Sequence, residues 1–245
     1  MRAVVVFAYG AFVTVTVGNA ESAFHANIPI AIETARAVHG LGKVAIVDWD
    51  VHHGNGTQAV YYERGDTLTI SIHQEGCFPP GQGSTTERGS GIGYGANLNI
   101  PLLPGGGHRA YLDAMDLSVL PALRAFEPEM IIIASGLDAN AFDPLGRMQA
   151  HSGTFREMTR AIMALADEIC SGRVAMVHEG GYAEVVVPFC GLAVVEELSG
   201  TRTGVDDPFE PITAGQQPPD DFDLFQRRRL EVQAAAMGLA SMVSQ

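Results

Sequence analysis

Hydrophobic and polar positions follow two periodicities from about residue 27 onward. Short apolar runs rich in valine and isoleucine predict strands buried on both faces, and longer runs with apolar residues every three or four positions predict helices. The predicted strands are 43–49, 67–72, 96–100, 130–135 and 174–177. The predicted helices are 28–39, 57–63, 109–126, 154–169, 186–198 and 222–243. This alternation predicts an α/β fold of three layers, with a mainly parallel sheet covered by helices on both faces.

Two stretches show neither periodicity. Residues 75–96 are rich in glycine and proline and predict a long loop, and loops of that length in compact domains usually carry function. Residues 200–221 are rich in proline, aspartate and glycine and predict an exposed excursion. A chain of 245 residues is long enough for one large domain of this kind.

The net negative charge of the chain limits which classes of ligand it is expected to bind. The chain has 28 acidic and 15 basic residues, which gives a formal net charge of −13. Such a surface repels phosphate backbones, so we expect no direct binding of nucleic acid. It would attract cationic ligands such as lysine-rich peptides or polyamines, although the same charge also serves simply to keep a protein soluble.

Cysteine usage and hydropathy indicate the compartment. The three cysteines are far apart in the sequence, which argues against a disulfide framework and favours the reducing cytoplasm. The apolar stretch 3–17 is interrupted by polar residues and glycine, and it lacks the basic start of a secretory signal. It is also shorter than the ~20 residues that a spanning helix needs, so we expect no membrane association.

Polar residues follow three of the predicted strands, at the carboxyl ends where ligands bind in open α/β sheets. Asp50 and His52 follow the first strand, Asp138 follows the fourth, and a His-Glu-Gly-Gly-Tyr run ending at Tyr182 follows the fifth. Asp50 and His52 are two positions apart and would face the same way in an extended chain. Two carboxylates, one imidazole and an open fourth position suit a catalytic zinc ion. The alternative is that Asp50 caps a turn and His52 is a buried structural histidine.

Five blocks in unbroken order resemble the histone deacetylase family. They are DWDVHHGNGTQ, SIHQEGCFPPGQGS, GIGYGANLNIPLLPGGG, ASGLDANAFDPLGRM and HEGGYAEVVVPFCGLAVVEELSG. The likeness is greatest to the class II-like bacterial enzymes and the acetylpolyamine amidohydrolases, and it spans about residues 27–205. It implies an arginase/deacetylase-like fold and hydrolysis of acetyl-amide bonds on lysine side chains or polyamines.

The resemblance also implies roles for individual residues. It places Asp50, His52 and Asp138 on the three zinc ligands of the family. Tyr182 falls on the tyrosine that donates a hydrogen bond to the substrate carbonyl oxygen, where negative charge develops in the transition state. Phe78 resembles one wall of the narrow tunnel that takes the acetyl-lysine stem.

Asp48 falls on an acidic residue that orients a catalytic histidine. The resemblance further implies a structural potassium ion. Its predicted binding residues are Asp48, Asp50, His52, Ser71 and Ile72. Arginases hold two manganese ions through an Asp-x-His-x-Asp pattern, but its fifth position here is Gly54, which favours a single zinc ion.

The beginning of the chain departs from the family pattern. The family has a Pro-Pro-Gly-His-His segment shortly before the helix that corresponds to 28–39, and one of its histidines is the general base. The equivalent positions fall near Phe12 and Val13, and the first histidine of this chain is His25. Loss of a positioned general base removes a factor of about 10²–10⁴ in rate.

We therefore expect residues 1–245 to form one deacetylase-like domain with three parts. Residues 1–26 would be a divergent or aberrant segment, truncated or shifted in frame, residues 27–205 the family-like core, and residues 206–245 a loop and the C-terminal helix. Absent family helices would expose apolar sheet surface and favour a homo-oligomer. The leading interpretation is a zinc-dependent deacetylase of acetyl-lysine or acetylated polyamines. The alternative is an impaired or inactive relative that binds zinc or acyl-lysine ligands without turnover.

Overall fold

The computed structural model describes residues 3–6 and 27–239. Six strands are present in this part of the chain: β1 Ala3–Val6, β2 Val44–Asp48, β3 Thr67–Gln74, β4 Asn97–Leu102, β5 Met130–Ser135 and β6 Val174–His178. The helices are α1 Asn27–His39, α2 Asn55–Tyr61, α3 His108–Ala114, α4 Leu120–Phe126, α5 Ser152–Ile169, α6 Val187–Ser199, α7 Glu210–Ala214 and α8 Asp220–Ala236. A turn of 3₁₀-helix spans Gly91–Gly93, and a turn of π-helix, Met115–Val119, joins α3 to α4.

The strands form one sheet in the order β1-β6-β5-β2-β3-β4, and every neighbouring pair is parallel. Side chains of β2 alternate between the two faces, as a strand buried on both sides requires. Val44 and Ile46 contact the smaller apolar cluster, whereas Ala45 and Val47 belong to the larger one. The predicted three-layer α/β class is confirmed, with the sheet wholly parallel among the described strands.

The two apolar clusters show which helices cover each face. The larger cluster joins the sheet to α3, α4, α5, α6 and α8, and its largest fully buried side chains include Trp49, Tyr111 and Phe155. The smaller cluster joins the other face to α1 and α2 through Ile28, Ile32 and Tyr61. None of the helices in the described part of the chain is long and apolar enough to cross a bilayer.

Three elements differ from the sequence prediction. β1 lies within the segment predicted to be divergent, where it pairs with β6 from Ala3↔Val174 to Val6↔Val177. The single helix predicted over 109–126 contains the π-helical turn just before Pro121, which has no backbone N–H for a regular helical hydrogen bond. The predicted excursion 200–221 contains the short helix α7.

The sequence positions that would correspond to the family's histidine pair lie outside the described residues. These are the positions near Phe12 and Val13, and His25 lies outside them as well.

The last helix, α8, packs against α3 and reaches the edge strand β4 through two side-chain hydrogen bonds. The Gln226 side chain accepts a hydrogen bond from the Leu103 backbone N–H at 2.8 Å, and the Gln233 side chain donates to the Asn99 carbonyl oxygen. An exposed edge strand offers unpaired backbone groups to other chains. The two glutamines therefore occupy backbone groups that would otherwise be open to strand addition.

Candidate active site

The candidate site lies at the carboxyl ends of β6, β5 and β2, which are neighbours in the sheet. Asp50 and His52 follow β2, Asp138 follows β5, and Gly180 and Tyr182 follow β6. Parallel strands deliver their carboxyl ends to one edge, which is why residues so distant in sequence converge. The sequence-predicted ligand residues are therefore brought together.

Three side chains converge closely enough to hold one metal ion. One ligand atom each from Asp50, His52 and Asp138 can be chosen so that all lie within 4.8 Å of one another. The Nδ1 atom of His52 is 2.9 Å from Oδ1 of Asp50 and 3.1 Å from Oδ2 of Asp138. A single hydrogen on Nδ1 can serve only one of these oxygens, and the buried Oδ2 of Asp138 has no other donor among the described residues. A buried acceptor left without a partner indicates a missing ligand.

The donor set fits zinc. A tetrahedral zinc ion with bonds of about 2.0–2.1 Å places its ligand atoms about 3.3 Å apart, close to the two distances from Nδ1 of His52. Three protein ligands leave one position open, as catalytic zinc sites do. Two carboxylates and one imidazole also neutralise the charge of a divalent cation.

Backbone hydrogen bonds fix the orientation of these carboxylates. The Val51 N–H donates to Oδ1 of Asp138 at 2.8 Å, and the Gly180 N–H donates to Oδ2 of Asp50 at 2.9 Å. The His52 N–H donates to Oδ1 of Asp50 at 2.8 Å. Groups of this kind orient metal ligands and hold them ready for the ion.

The electrostatics of the triad favour a positive charge at its centre. Burial lowers the pKa of His52, but hydrogen bonds and charges from Asp138 and Asp50 outweigh this and raise it to about 10. Burial, together with the charge of Asp50, raises the pKa of Asp138 to about 7. Without a metal, His52 and Asp138 therefore share a proton at the place where the geometry would accept a divalent cation. Binding of a metal ion would have to displace this proton.

The residues predicted for potassium lie beside the triad. Asp48 is buried at the end of β2, and its Oδ1 accepts a hydrogen bond from the Asp50 N–H at 3.0 Å. Burial, with the nearby charge of Asp50, raises the pKa of Asp48 well above its usual range. Ser71 is the register partner of Asp48 on β3 and accepts from the Gly54 N–H at 3.2 Å, while Ile72 is fully buried next to it. The potassium assignment stays a prediction.

Aromatic side chains flank the triad on two sides. The rings of Phe78 and Tyr182 each lie 6.4 Å from the His52 ring in an edge-on arrangement. They line a pocket of about 110 Å³ together with the triad residues Asp50 and His52. Burial, together with the charges of Asp50 and Asp138, raises the pKa of the Tyr182 hydroxyl, so it remains a hydrogen-bond donor at neutral pH.

The structure adds an acidic residue that sequence analysis passed over. Glu179 lines the same pocket, and burial with the charges of Asp50 and Asp138 raises its pKa to about 7. The available signal was its position, because Glu179 follows β6 as Asp50 follows β2. Its environment depends on side chains from two other strand ends, which the sequence around Glu179 does not reveal.

A second unforeseen feature is a hydrogen-bond hub at Gln58. Its side-chain oxygen lies 2.8 Å from the amide nitrogens of both Asn97 and Asn99 and 3.1 Å from Nε2 of His53. Its side-chain nitrogen donates to Glu87 at 2.6 Å. Gln58 thereby joins α2, β4 and the long loop before β4, directly behind the segment that carries the triad.

We expect Gln58→Leu to lower the free energy of unfolding by about 2–4 kcal/mol, because buried amide groups of Asn97 and Asn99 would lose a shared acceptor. Urea denaturation, followed by circular dichroism, measures the change. Gln216→Leu makes the same substitution at an exposed position and should change the unfolding free energy by less than about 0.5 kcal/mol. Equal effects of the two substitutions would contradict the hub.

Comparison with known proteins decides the family. The family model described as the histone deacetylase domain matches residues 23–198, which is most of the chain. The chain belongs to the histone deacetylase family. This family membership confirms the resemblance carried by the five sequence blocks.

Curated relatives of the histone deacetylase family come from distant organisms. The histone deacetylase-like amidohydrolase of Pseudomonas aeruginosa is 58% identical over 216 residues, which cover 88% of this chain and 57% of the relative. A probable deacetylase of Archaeoglobus fulgidus is 38% identical over 162 residues, covering 66% of this chain and 45% of the relative. The chain thus spans about half the length of these relatives.

Solved histone deacetylase structures share the fold. The HDA15 HD domain matches with a TM-score of 0.74 and 32% identity, covering 90% of this chain and 59% of that one. The histone deacetylase Clr3 matches with a TM-score of 0.72 and 26% identity, covering 86% and 35%. The predicted arginase/deacetylase-like architecture is confirmed.

Proposed function

We propose that this chain is a zinc-dependent amidohydrolase that removes acetyl groups from acetyl-lysine or from acetylated polyamines in the cytoplasm. The observation that supports the proposal most is the convergence of Asp50, His52 and Asp138 beside Tyr182. Membership of the histone deacetylase family supports the reaction class. The acidic chain suits a cationic substrate.

Asp50, His52 and Asp138 would hold the zinc ion. When bound, zinc supplies Lewis acidity toward a substrate carbonyl and lowers the pKa of a water molecule. The protein's own part in ligand binding starts with the backbone N–H groups of Val51 and Gly180, which fix the two carboxylates. The wall formed by Phe78 and Tyr182 would hold the acetyl-lysine stem and exclude water around it.

Tyr182 would stabilise the substrate oxygen as negative charge builds on it. Its hydroxyl is protonated at neutral pH, as an ordinary phenol is, and its raised pKa extends this to higher pH, so it can donate a hydrogen bond. The Tyr182 backbone is itself anchored, since its N–H donates to Oδ2 of Asp143 at 2.7 Å. A donor held in place before the reaction stabilises the transition state without the cost of reorganisation.

The second candidate function is ligand binding with little or no turnover. It is favoured by the sequence, which has no histidine before His25, although the family pattern requires a pair near Phe12 and Val13. Under this alternative, binding of zinc and of acyl-lysine ligands would be retained and hydrolysis would be slow. Ordinary enzymes turn over at about 1–10³ s⁻¹, and loss of a general base lowers such a rate by about 10²–10⁴.

A paired measurement on the zinc-loaded chain tests both candidates. A hydroxamate, which chelates zinc, is titrated calorimetrically, and hydrolysis is followed with an acetyl-lysine peptide and with acetylputrescine. We expect zinc-dependent hydroxamate binding that weakens about 3- to 30-fold in Tyr182→Phe, as loss of one hydrogen bond implies. The amidohydrolase candidate predicts hydrolysis at an ordinary enzymatic rate with at least one of these substrates, and the impaired candidate predicts hydrolysis near the background rate with both.

The outcomes separate the candidates clearly. Turnover at an ordinary rate would reject the impaired form and support the active amidohydrolase. The substrate that is hydrolysed faster would then define the substrate class. Hydroxamate binding that does not require zinc, or that is equal in Tyr182→Phe, would contradict the proposed site itself. Phe142→Tyr alters an exposed aromatic ring outside the triad, and it should bind hydroxamate as the parent chain does. It controls for effects of expression and purification on the variant proteins.

A further inference from the structure

A second concave region lies between α8 and the loop before β4. This groove has a volume of about 780 Å³ and shares no lining residue with the candidate active site. Volumes of about 300–1,000 Å³ are typical of small-molecule sites. The groove is lined by basic, aromatic and apolar side chains, among them Arg88, Tyr94, Phe225, Arg228, Arg229 and Val232.

Three guanidinium groups face the groove although the chain has a net charge of −13. Arg229 pairs with Glu75 at 2.8 Å, and Arg88 lies over the Tyr94 ring at 5.4 Å from its centre. Arg228 is exposed and has no carboxylate partner among the described residues. None of the residues that line the groove is acidic. Arg88 also donates to the Ala236 carbonyl oxygen at 3.4 Å, so Arg228 is the guanidinium group that remains available to an anion in this groove.

Apolar side chains lie beside these cations. Phe225, Tyr94 and Val232 are 57%, 67% and 72% exposed, which is unusual for such large apolar groups. Phe225 and Val232 are seven residues apart on α8, two helical turns, so they lie on one stripe with Arg228 and Arg229 between them. An anionic head on Arg228 with an apolar body along Phe225, one helical turn away, fits one half of this stripe.

Coverage of the β4 edge argues against an extended peptide as the occupant. Peptides that add to a sheet gain their affinity from main-chain hydrogen bonds at an open edge. Here Gln226 and Gln233 of α8 already bind the backbone at Leu103 and Asn99. What remains for a ligand is the side-chain surface of Arg228, Phe225 and their neighbours, which suits a small molecule.

We propose that this groove binds a free aliphatic carboxylate, with the carboxylate on Arg228 and the aliphatic chain along the exposed Phe225 ring one turn away. The guanidinium group presents two parallel N–H donors that match the two oxygens of a carboxylate. The aliphatic chain would remove exposed apolar surface from water, which favours binding. The proposal does not depend on the function of the candidate active site.

Titration of the full chain with decanoate, below its aggregation threshold, tests the proposal by calorimetry. We expect saturable binding of one decanoate, weakened at least about tenfold in Arg228→Gln, because a charge-assisted hydrogen bond is lost. Phe225→Ser should weaken it by a similar factor. Arg124→Gln, on α4, removes an equally exposed arginine that pairs with Glu168 outside the groove and should leave binding unchanged. Decyltrimethylammonium should not compete.

Four results would overturn the proposal. The first is no binding of decanoate, and the second is binding to Arg228→Gln and Phe225→Ser with the affinity of the parent chain. The third is binding of decyltrimethylammonium as tight as that of decanoate. The fourth is decanoate binding that neither added salt nor another aliphatic carboxylate weakens. Self-association that Phe225→Ser abolishes, measured by sedimentation without any decanoate binding, would assign the groove to a second copy of the chain instead. Circular dichroism confirms that each variant is folded, which the exposure of Arg228 and Phe225 favours.

Discussion

Asp138→Ala is expected to reduce bound zinc from about one ion per chain to near zero. Asp138 would supply one of the three donors found in the described part of the chain, and it is the one that is fully buried, so water cannot readily take its place. The remaining pair, Asp50 and His52, leaves two ligands for an ion that in protein sites has three or four protein ligands. The Val51 N–H also loses its acceptor, which costs about 1–3 kcal/mol of stability.

Zinc is measured by elemental analysis after dialysis, and circular dichroism shows whether the variant is folded. Asp66→Ala removes a half-buried carboxylate that pairs with Arg64 and Arg36, away from the triad, so it controls for loss of one paired negative charge. That variant should retain its zinc. A folded Asp138→Ala protein with one tightly held zinc ion would end the three-ligand assignment.

Gly180→Ala is expected to lower metal affinity by about 100-fold, the upper end of what changes around metal ligands produce. A Cβ atom at Gly180 would lie 2.6 Å from Oδ2 of Asp50 and closer still to Oδ2 of Asp138. Real Cβ atoms do not approach oxygen so closely, so at least one ligand must shift. The backbone of Gly180 is not left-handed, so the cost arises from this contact and not from backbone strain.

Gly191→Ala is the matched control. A Cβ atom there meets only Leu137, at an ordinary 3.7 Å, and Gly191 lies within α6, where alanine favours the helix. We expect Gly191→Ala to keep full metal affinity and to be at least as stable as the parent chain. Competition with a fluorescent zinc chelator gives both affinities, and similar values for Gly180→Ala and Gly191→Ala would refute the crowding argument.

Elements whose pattern is local were predictable from the sequence. The run Met130–Ser135 is apolar throughout and ends at Gly136, and its predicted bounds match β5. The triad residues were foreseeable because each follows such a strand and because parallel strands deliver their carboxyl ends together. The roles of those residues remain predictions that the two variants above would test.

Features that depend on distant partners were not predictable. β1 is only four residues long, and its pairing with β6 is absent from any local pattern. The position of α8 along β4 depends on two glutamines whose acceptor and donor lie more than a hundred residues away in sequence. The sequence around Gln58 likewise predicts only an ordinary helix residue. Its role depends on the amide groups of Asn97 and Asn99, which the fold brings next to it.

The mixed donors of the triad bear on which ion it holds. Two carboxylates and one imidazole suit several divalent ions of the first transition row, whose affinities for such ligands rise from manganese to copper and fall again at zinc. No thiolate is present in the triad to favour zinc over the others. If the triad binds a metal as proposed, selection among these ions would rest on which one the surroundings supply as the chain folds. The reactivity of a purified sample would then depend on its metal history as well as on its sequence.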